Sequence, residues 1–534
     1  MIWEIKLLIK EMIMNRHVIF MIISMVYSSN LLAGAAPVNN NVGLDKNLFK
    51  MKLKQEPNNQ LYVFDLAYTF YGLKKYNKAI KLYSQTKLLS GEMGWYSEYM
   101  IGKCYDGKGD WDNALKYYNS AFKRRSTRAE PLFEMTKHYF AANKHEEVCF
   151  FATIGTKIEY PKDDNLYIEA DIYNYKFYEQ LSISAYYVEK YKMKGTKYID
   201  KLLFSLSTPP HLKENSLNNL FYYLENIKNV EYIPIKAKMP LLTSWSSERY
   251  KPCNASIIRT DNGYMVNCRA VNYVQLYPDY VVMDCTRNPQ TKNVVIEYDK
   301  NLKQYFQTQV IEDPSLVRYQ TAIQGLEDVR LFRIKDEIYF TATTCQLNER
   351  GIPKMCFGKF EKNKADNNIF INKITLLQSP YLERTEKNWM PLVIDEQLYL
   401  IYGYSPYIIY KPNCVTGECT EFINKVPEFD FSRFSGSTPP IAFDDGYLLM
   451  IHEGIWQDRK YYIHRFLYLD KNLEIKKVSK PFAFKHKGVE MCCGMVIDEV
   501  SDKLIMTIAL EDREAYLGLI DVSNVRSLLK SLVK

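Results

Sequence analysis

Two hydrophobic periodicities divide the chain. Over residues 57–230, small and aromatic residues recur at helical spacing. Gly102, Tyr105, Ala114, Tyr118 and Ala121 stand at offsets 0, 3, 12, 16 and 19. The same offsets hold Ala67, Phe70, Ala79, Tyr83 and Thr86 before them, and Thr136, Tyr139, Val148, Ala152 and Gly155 after them. The central positions lie 35 and 34 residues apart. Small residues let the two helices of a hairpin approach, and the aromatics fill the groove between hairpins. The pattern therefore predicts stacked helix pairs turning at Lys74-Lys75 and Gly109-Asp110. A looser helical pattern continues to Pro209-Pro210, which breaks it. From 240 to 530 the alternation has period two, with turns such as Asp-Asn-Gly and Asp-Asp-Gly. One unit recurs five times: a polar motif, a short strand, a charged turn and a second strand. The units start at Asn254, Glu327, Asn388, Thr438 and Cys493, and their second strands open at Tyr264, Tyr339, Tyr399, Tyr447 and Leu504. Five units predict a five-bladed β-propeller, whose closed ring leaves few free edges. A β-sandwich of five hairpins is the alternative, but it gives no reason for a polar motif at the same point of each unit. The expected fold class is multidomain: an all-α helical-repeat domain over 57–230, then an all-β five-bladed propeller over 240–530. The periodicity changes within VEYIPIKAKMPLL, near residue 235.

Composition narrows the partners. Of 534 residues, 47% are hydrophobic and 25% charged, an ordinary globular balance. The net charge of +8 is spread thinly, without a dense Lys/Arg stripe, so no nucleic-acid partner is expected. Residues 14–36 read MNRHVIFMIISMVYSSNLLAGAA: a basic Arg16, an apolar run Val18–Tyr27, and Ala33-Gly34-Ala35 as a small-x-small cleavage site. Residues 1–36 thus read as a secretory signal peptide, too short in its apolar run to span a bilayer. The mature chain is expected to be exported and to have no membrane span. All 11 cysteines follow this segment, an odd number that fits poorly with an oxidising compartment. Cys414 and Cys419 flank a Val-Thr-Gly-Glu turn and are placed to close a small loop. No spacing of cysteines and histidines supports zinc, and no metal or other cofactor is expected. The 44 tyrosines suit sugar-facing clefts and ordinary cores alike.

The repeat spacing over 57–230 is tetratricopeptide-like. Its runs RAEPLFEMTKHYF, CFFATIGTKIEYP and DIYNYKFYEQLSISAYYV resemble the repeat segment that follows family 2 glycosyltransferase domains. That resemblance covers residues 57–205, hints at a glycan pathway and supplies no active site. A surface that presents a protein partner or a glycan chain, and a structural spacer or cap on the next domain, are equal readings of the helical repeats. Further on, GLEDVRLF, NWMPLVIDEQLYLIYGYSP, SGSTPPIAFDDGYLLMIHEGI and GVEMCCGMVIDEVSDKLIMTIALED resemble the mannoside phosphorylases and their β-mannosyltransferase cousins. The resemblance covers roughly residues 250–522. It implies a five-bladed propeller that cleaves or builds β-mannosidic bonds, with one carboxylic acid as proton donor and inorganic phosphate as nucleophile. The acid's motif reads Glu327-Asp328-Val329-Arg330 here, which points to Asp328. The phosphate-contacting histidine falls on His452. Lys387, Asn254 in the first blade motif, Arg269 at the end of the next strand, and Asp512 closing the last motif complete the expected substrate-binding set.

Two departures change the expected chemistry. The family's basic residue before proline is absent from Tyr404-Ser405-Pro406, which leaves Lys387 and His452 as a weak phosphate clamp. Glu490 stands where phosphorylases carry an apolar residue. A carboxylate there repels phosphate and can activate water. The expected chemistry is therefore glycan cleavage in which Asp328 is the general acid and Glu490 holds the water, about 6.5–9.5 Å away for inversion. Mannosyl transfer, phosphorolysis and non-catalytic glycan binding are the alternatives. Asp328 and Arg330 also share a strand face at period two, so the pair can instead be a structural ion pair.

Overall fold

The computed structural model describes residues 42–532, apart from 245–246, 277–278, 285–287, 317 and 382. The expected signal peptide lies outside the described residues. The chain divides into two compact units: one runs up to His138 and includes Ile154–Tyr173, and the other comprises Tyr139–Thr153 and Asn174–Lys534. The units divide the chain elsewhere than the change of periodicity near residue 235.

The first unit is helical. Helices Gln60–Gly72, Tyr76–Thr86, Gly91–Gly107 and Trp111–Arg124 form two successive hairpins. The repeat positions Ala67, Ala79, Tyr83, Ala114, Tyr118 and Ala121 are fully buried. Gly102 shows why its offset demands a small residue: a Cβ there would lie 2.7 Å from the Tyr118 ring. Asp110 caps the Trp111–Arg124 helix by accepting from the Asn113 N–H. The unit also buries a whole guanidinium: Arg128 lies over the Trp95 ring at 4.2 Å, with Glu130 at 2.9 Å and Asp164 at 3.3 Å as counter-ions.

The second unit joins helices to sheets. Helices Gly195–Phe204 and Pro210–Tyr223 belong to it, and the reason is the face they bury. Phe204 packs with Phe431 and Phe434 in the core of the sheets. The fully buried Arg465, on strand Lys460–Leu469, donates to Asp200 of the first helix at 2.6 Å and 3.2 Å, and its Nε lies 3.5 Å from the buried Glu453. Glu453 in turn accepts from Arg433 at 3.2 Å. A helix pair cannot bury its apolar face alone, and this pair buries it on a sheet. The period changes near 235 because the secondary structure changes there, while the packing continues.

The β-rich region has a propeller-like arrangement. Four blades contain a four-strand antiparallel meander, not the five expected, and the second of them belongs to a six-stranded sheet. They are Lys251–Thr260/Gly263–Val271/Thr291–Asp299/Gln304–Gln309, Glu327–Ile334/Glu337–Thr344/Lys354–Lys362/Ile374–Leu376, Met390–Ile394/Gln397–Tyr404/Tyr407–Pro412/Cys419–Lys425, and Glu490–Asp498/Lys503–Leu510/Glu514–Asp521 completed by Glu231–Pro234. At the remaining place the chain builds an eight-stranded sheet around Gly446–Trp456 and Lys460–Leu469. Its extra strands come from far along the chain: Glu225–Asn226 pairs in parallel with Phe482–Ala483, and Leu529–Ser531 pairs with Ile475–Ser479. The five strands that open at Tyr264, Tyr339, Tyr399, Tyr447 and Leu504 all form as expected. Cys414 and Cys419 are free thiols. Among the described residues no helix is long and apolar enough to cross a membrane.

Removing the Arg465 charge leaves Asp200 and Glu453 without their shared cation. Arg465→Met should lower the stability of the second unit by about 3 kcal/mol in urea unfolding. An unchanged unfolding midpoint would show that the ion network does not hold the helices to the sheet.

Candidate functional site

The first strands of three blades begin with the same backbone device. Asn254, Asp328 and Asn388 all have positive φ, at 36°, 52° and 62°. Asn254 and Asp328 sit inside β-bulges, where pairing slips between Cys253 and Ser256 and between Glu327 and Arg330. Left-handed backbone at asparagine and aspartate is tolerated because their short polar side chains bond locally. A bulge also re-aims side chains and breaks the period of two. Glu327, which strict alternation turns away from Asp328, therefore ends up on the same guanidinium.

That guanidinium belongs to Arg269. It donates to Glu327 Oε1 at 2.5 Å, to Asp328 Oδ1 at 2.8 Å, to the Thr291 hydroxyl at 3.2 Å and to the Tyr273 hydroxyl at 3.2 Å. Asn254 donates to the same Asp328 oxygen at 2.8 Å. Lys387 reaches the other oxygen of Glu327 at 3.4 Å. Arg330 is fully buried and ties its own blade to another and to the eight-stranded sheet: it donates to the Asp328 carbonyl, to Asn388 Oδ1 at 3.0 Å and to the Ser437 carbonyl at 3.3 Å. The Ser437 hydroxyl pairs with His452 Nδ1 at 2.8 Å, and the His452 ring meets Tyr462 edge-on at 5.1 Å. Among the described residues Asn254 Oδ1 is buried without a hydrogen-bond partner.

The charges push the carboxyls apart. Burial alone would raise the Asp328 pKa, but Arg269, Arg330 and the Asn254 bond outweigh it and hold the group well below the usual carboxylate range. Asp512 goes the other way. It stands in the turn after strand Lys503–Leu510, with φ 51°, and makes no hydrogen bond or ion pair among the described residues. Burial, followed by the Asp328 and Glu327 charges, lifts it to about 6 against the pull of Arg269. His452 is pushed down to about 3 by burial and by the His464, Arg330 and Lys460 neighbours. It is neutral at physiological pH and adds no charge to a phosphate clamp.

Contacts thus join Asn254, Arg269, Asp328 and Lys387, through Glu327, into one cluster, and Arg330 and Ser437 link it to His452, while Asp512 makes no bond to it among the described residues and only feels its charges. Glu490 is held differently. Its carboxylate accepts three backbone N–H groups, from Phe484 at 2.5 Å, Lys485 at 2.9 Å and His486 at 2.7 Å, and this fastens the 484–486 segment. A carboxylate so occupied is a loop anchor, and the water-holding role expected of it has no support in these bonds. Sequence reasoning did not assign roles to Ser437, Tyr273, Tyr462 or Lys460. Ser437 stood within a quoted motif, whereas the other three carry no spacing signal. A cavity of about 1110 Å³ lies at the far ends of the same inner strands, lined by Ile257, Leu331, Val393, Ile441 and Val496.

No protein-family model matches the chain, and no curated protein matches it. Among solved structures, it is similar to a β-1,2-mannobiose phosphorylase from Listeria innocua (13% identity, 56% of this chain and 99% of that chain, TM-score 0.38). It is similar to a mannose phosphorylase from Leishmania mexicana (10% identity, 56% and 92%, TM-score 0.33). The helical region is similar to part of a TPR repeat-containing protein from Cytophaga hutchinsonii (19% identity, 35% and 65%, TM-score 0.26).

The opposite shifts of the two aspartates predict opposite effects on stability. A raised carboxyl binds its proton more tightly in the folded state, so the Asp512 contribution falls as pH rises from about 4 to about 6. Asp512→Asn should then stabilise the chain at about pH 7.5, by up to about 2 kcal/mol, and have little effect near pH 4. Asp328→Asn should destabilise at neutral pH, because it removes the anion that neutralises Arg269 and Arg330. Calorimetric melting of both variants at the two pH values checks this. Destabilisation by Asp512→Asn at neutral pH would contradict it.

Proposed function

We propose that the chain is a carbohydrate-active enzyme that cleaves β-linked, mannose-like glycosidic bonds at the Arg269-centred cluster. The reading takes the eight-stranded sheet as the fifth blade of a closed propeller. Close approaches between neighbouring blades support that closure: a Cβ on Gly494 would lie 2.5 Å from the Ile257 nitrogen, and one on Gly436 would lie 2.4 Å from Met390 Cγ. Export by residues 1–36 and a glycan partner belong to the same reading. The mannoside class rests on the motif resemblance of Glu327–Arg330 and its companions.

One contrast carries the chemistry: Asp328 is paired with the buried Arg269 and held ionised, whereas Asp512, which feels the same charges, makes no pair among the described residues and is lifted to about 6. Carboxyls whose pKa values are driven apart in one site divide into acid and stabiliser. Asp512 fits the proton donor better than Asp328. In this scheme Asp512 gives its proton to the glycosidic oxygen as the C–O bond breaks. Ionised Asp328 stabilises the positive charge that develops on the sugar ring. Water adds to that carbon and its released proton returns Asp512 to the acid form. Asn254 and Lys387 orient the sugar hydroxyls. The occupied Glu490 carboxylate favours a second reading, glycan binding without turnover, because it removes the expected water-activating base. Mannosyl transfer uses the same pocket and differs only in the acceptor.

Hydrolysis of β-mannobiose and longer β-mannosides should proceed in phosphate-free buffer. Asp512→Asn should lower kcat at least about 100-fold with little change in binding, and kcat should fall as pH rises above about 6. Full activity in Asp512→Asn, or strict dependence on inorganic phosphate, would contradict the scheme. Sugar binding without turnover would establish the second reading.

A further inference from the structure

In the helical unit, one stretch of chain is held in a way that the glycan scheme leaves unused. Residues 159–169 form neither helix nor strand, between helix His145–Gly155 and the π-helical turn Ile172–Lys176. They lie on side chains from earlier in the same unit. Glu92, in the first turn of helix Gly91–Gly107, accepts the backbone N–H groups of Asn165 at 3.0 Å and Leu166 at 2.7 Å, both on Oε2. Arg128 donates to the Leu166 carbonyl at 3.2 Å and to the Tyr167 carbonyl at 3.3 Å. Glu130 Oε1 accepts the Glu169 N–H at 3.4 Å. These bonds grip main-chain groups, which any extended segment presents.

Two side chains of the stretch are read as well. Asp164 is held by Arg125, whose Nε lies 2.8 Å from Oδ2 and whose Nη2 bonds Oδ1, and by Arg128 at 3.3 Å. Arg125 has no other ion-pair partner among the described residues, so this position demands a carboxylate. The Tyr167 ring stacks on both Tyr68 and Tyr96, with centroids 5.3 Å and 5.0 Å away. An acid and an aromatic ring three residues apart, joined by gripped backbone, are how a surface recognises an extended peptide: main-chain bonds supply affinity and side-chain pockets supply specificity.

The present occupant is weakly secured. Asp164 is the one buried residue of 159–169, and Tyr167 is 45% exposed. Tyr167 also has φ 45°, a left-handed backbone that a bulky aromatic residue adopts only under strain. Segments with few buried apolar contacts open locally without global unfolding. Opening strands no buried charge: Arg128 keeps Glu130 at 2.9 Å and the Trp95 ring at 4.2 Å, and Arg125 is partly exposed. A segment free of the flanking helices need not adopt the strained turn, and it competes for the same contacts.

We infer that this surface docks an extended segment of a partner protein that carries an aspartate three residues before a tyrosine, and that residues 164–169 are its built-in occupant, which the partner displaces. The inference is independent of the glycan-cleavage reading, because no residue of the sheets takes part.

Fluorescence anisotropy of the full-length protein with a labelled peptide of residues 161–172, PKDDNLYIEADI, tests it. Asp164→Asn combined with Tyr167→Ala weakens the built-in occupant and leaves the docking side chains intact. This double variant should bind the peptide at least about ten-fold more tightly than the wild type, because an occupied site binds only through its open fraction. Adding Arg125→Gln should remove that gain, as should replacing the peptide's own aspartate 164 by asparagine or its tyrosine 167 by alanine. A second measurement needs no variant. In the wild type, excess peptide should speed hydrogen exchange at the Asn165 and Leu166 amides, which leave Glu92 when the segment is displaced. Unchanged exchange there, or no peptide binding by a double variant that keeps its melting temperature, overturns the inference and makes the segment a fixed part of the fold. Binding that survives both peptide changes overturns the assigned motif. A wild-type dimer that the peptide splits assigns the surface to a second copy of the chain and overturns the partner.

Discussion

Burying a guanidinium away from water is tolerable only when its charge and its donors are met, and this protein does so at the inner ends of its blades. Arg269 comes from the second strand of one blade and is neutralised by Glu327 and Asp328 on the first strand of the next. Arg330 leaves that first strand and reaches the chain at Asn388 and Ser437. Neither arginine can be satisfied within its own blade. The requirement for partners therefore fixes how neighbouring blades meet, and it also collects the carboxylates, amides and hydroxyls from which a site can be built. The bulges that start the strands follow from the same demand, because a regular strand would turn Glu327 and Asp328 to opposite faces.

A similar device operates away from the cluster. Arg465, Arg433, Glu453 and Asp200 form a buried chain of charges that ties a helix to a sheet, with the Phe204 ring 5.3 Å and 5.8 Å from the two guanidiniums. In the helical unit Arg128 plays the part with Glu130, Asp164 and the Trp95 ring. Each network is specific as well as cohesive, since a shifted register would strand a buried charge.

Much of this was legible in the sequence. Ala67, Ala114 and Tyr118 announced close helix packing through their spacing, and the residues that open the second strands fell where the turns placed them. The ambiguous positions were those where local pattern and tertiary contact disagree. Period-two reasoning set Glu327 apart from Asp328, and the bulge reunites them on Arg269. Glu490 looked like a free carboxylate because nothing in its local sequence reveals that three backbone N–H groups converge on it from residues 484–486. The helix of 195–204 lies within the looser helical pattern and a second helix starts at the prolines that end it, yet both pack on a sheet whose strands lie more than 200 residues later. Extra strands at 225–226 and 529–531 are too short to carry a periodic signal, and they turn one expected blade into an eight-stranded sheet.

The account depends on a division of labour between two aspartates that share one electrostatic environment. Each charge there acts on the other: the Asp328 anion helps keep a proton on Asp512, and Arg269 opposes it. The most direct measurement is the carboxyl titration itself, followed by carbon NMR on aspartate-labelled protein. The account predicts one aspartate that titrates near pH 6, disappears in Asp512→Asn, and moves to lower pH in Asp328→Asn because a neighbouring negative charge has been removed. A spectrum in which every aspartate titrates below about pH 4.5 would contradict it.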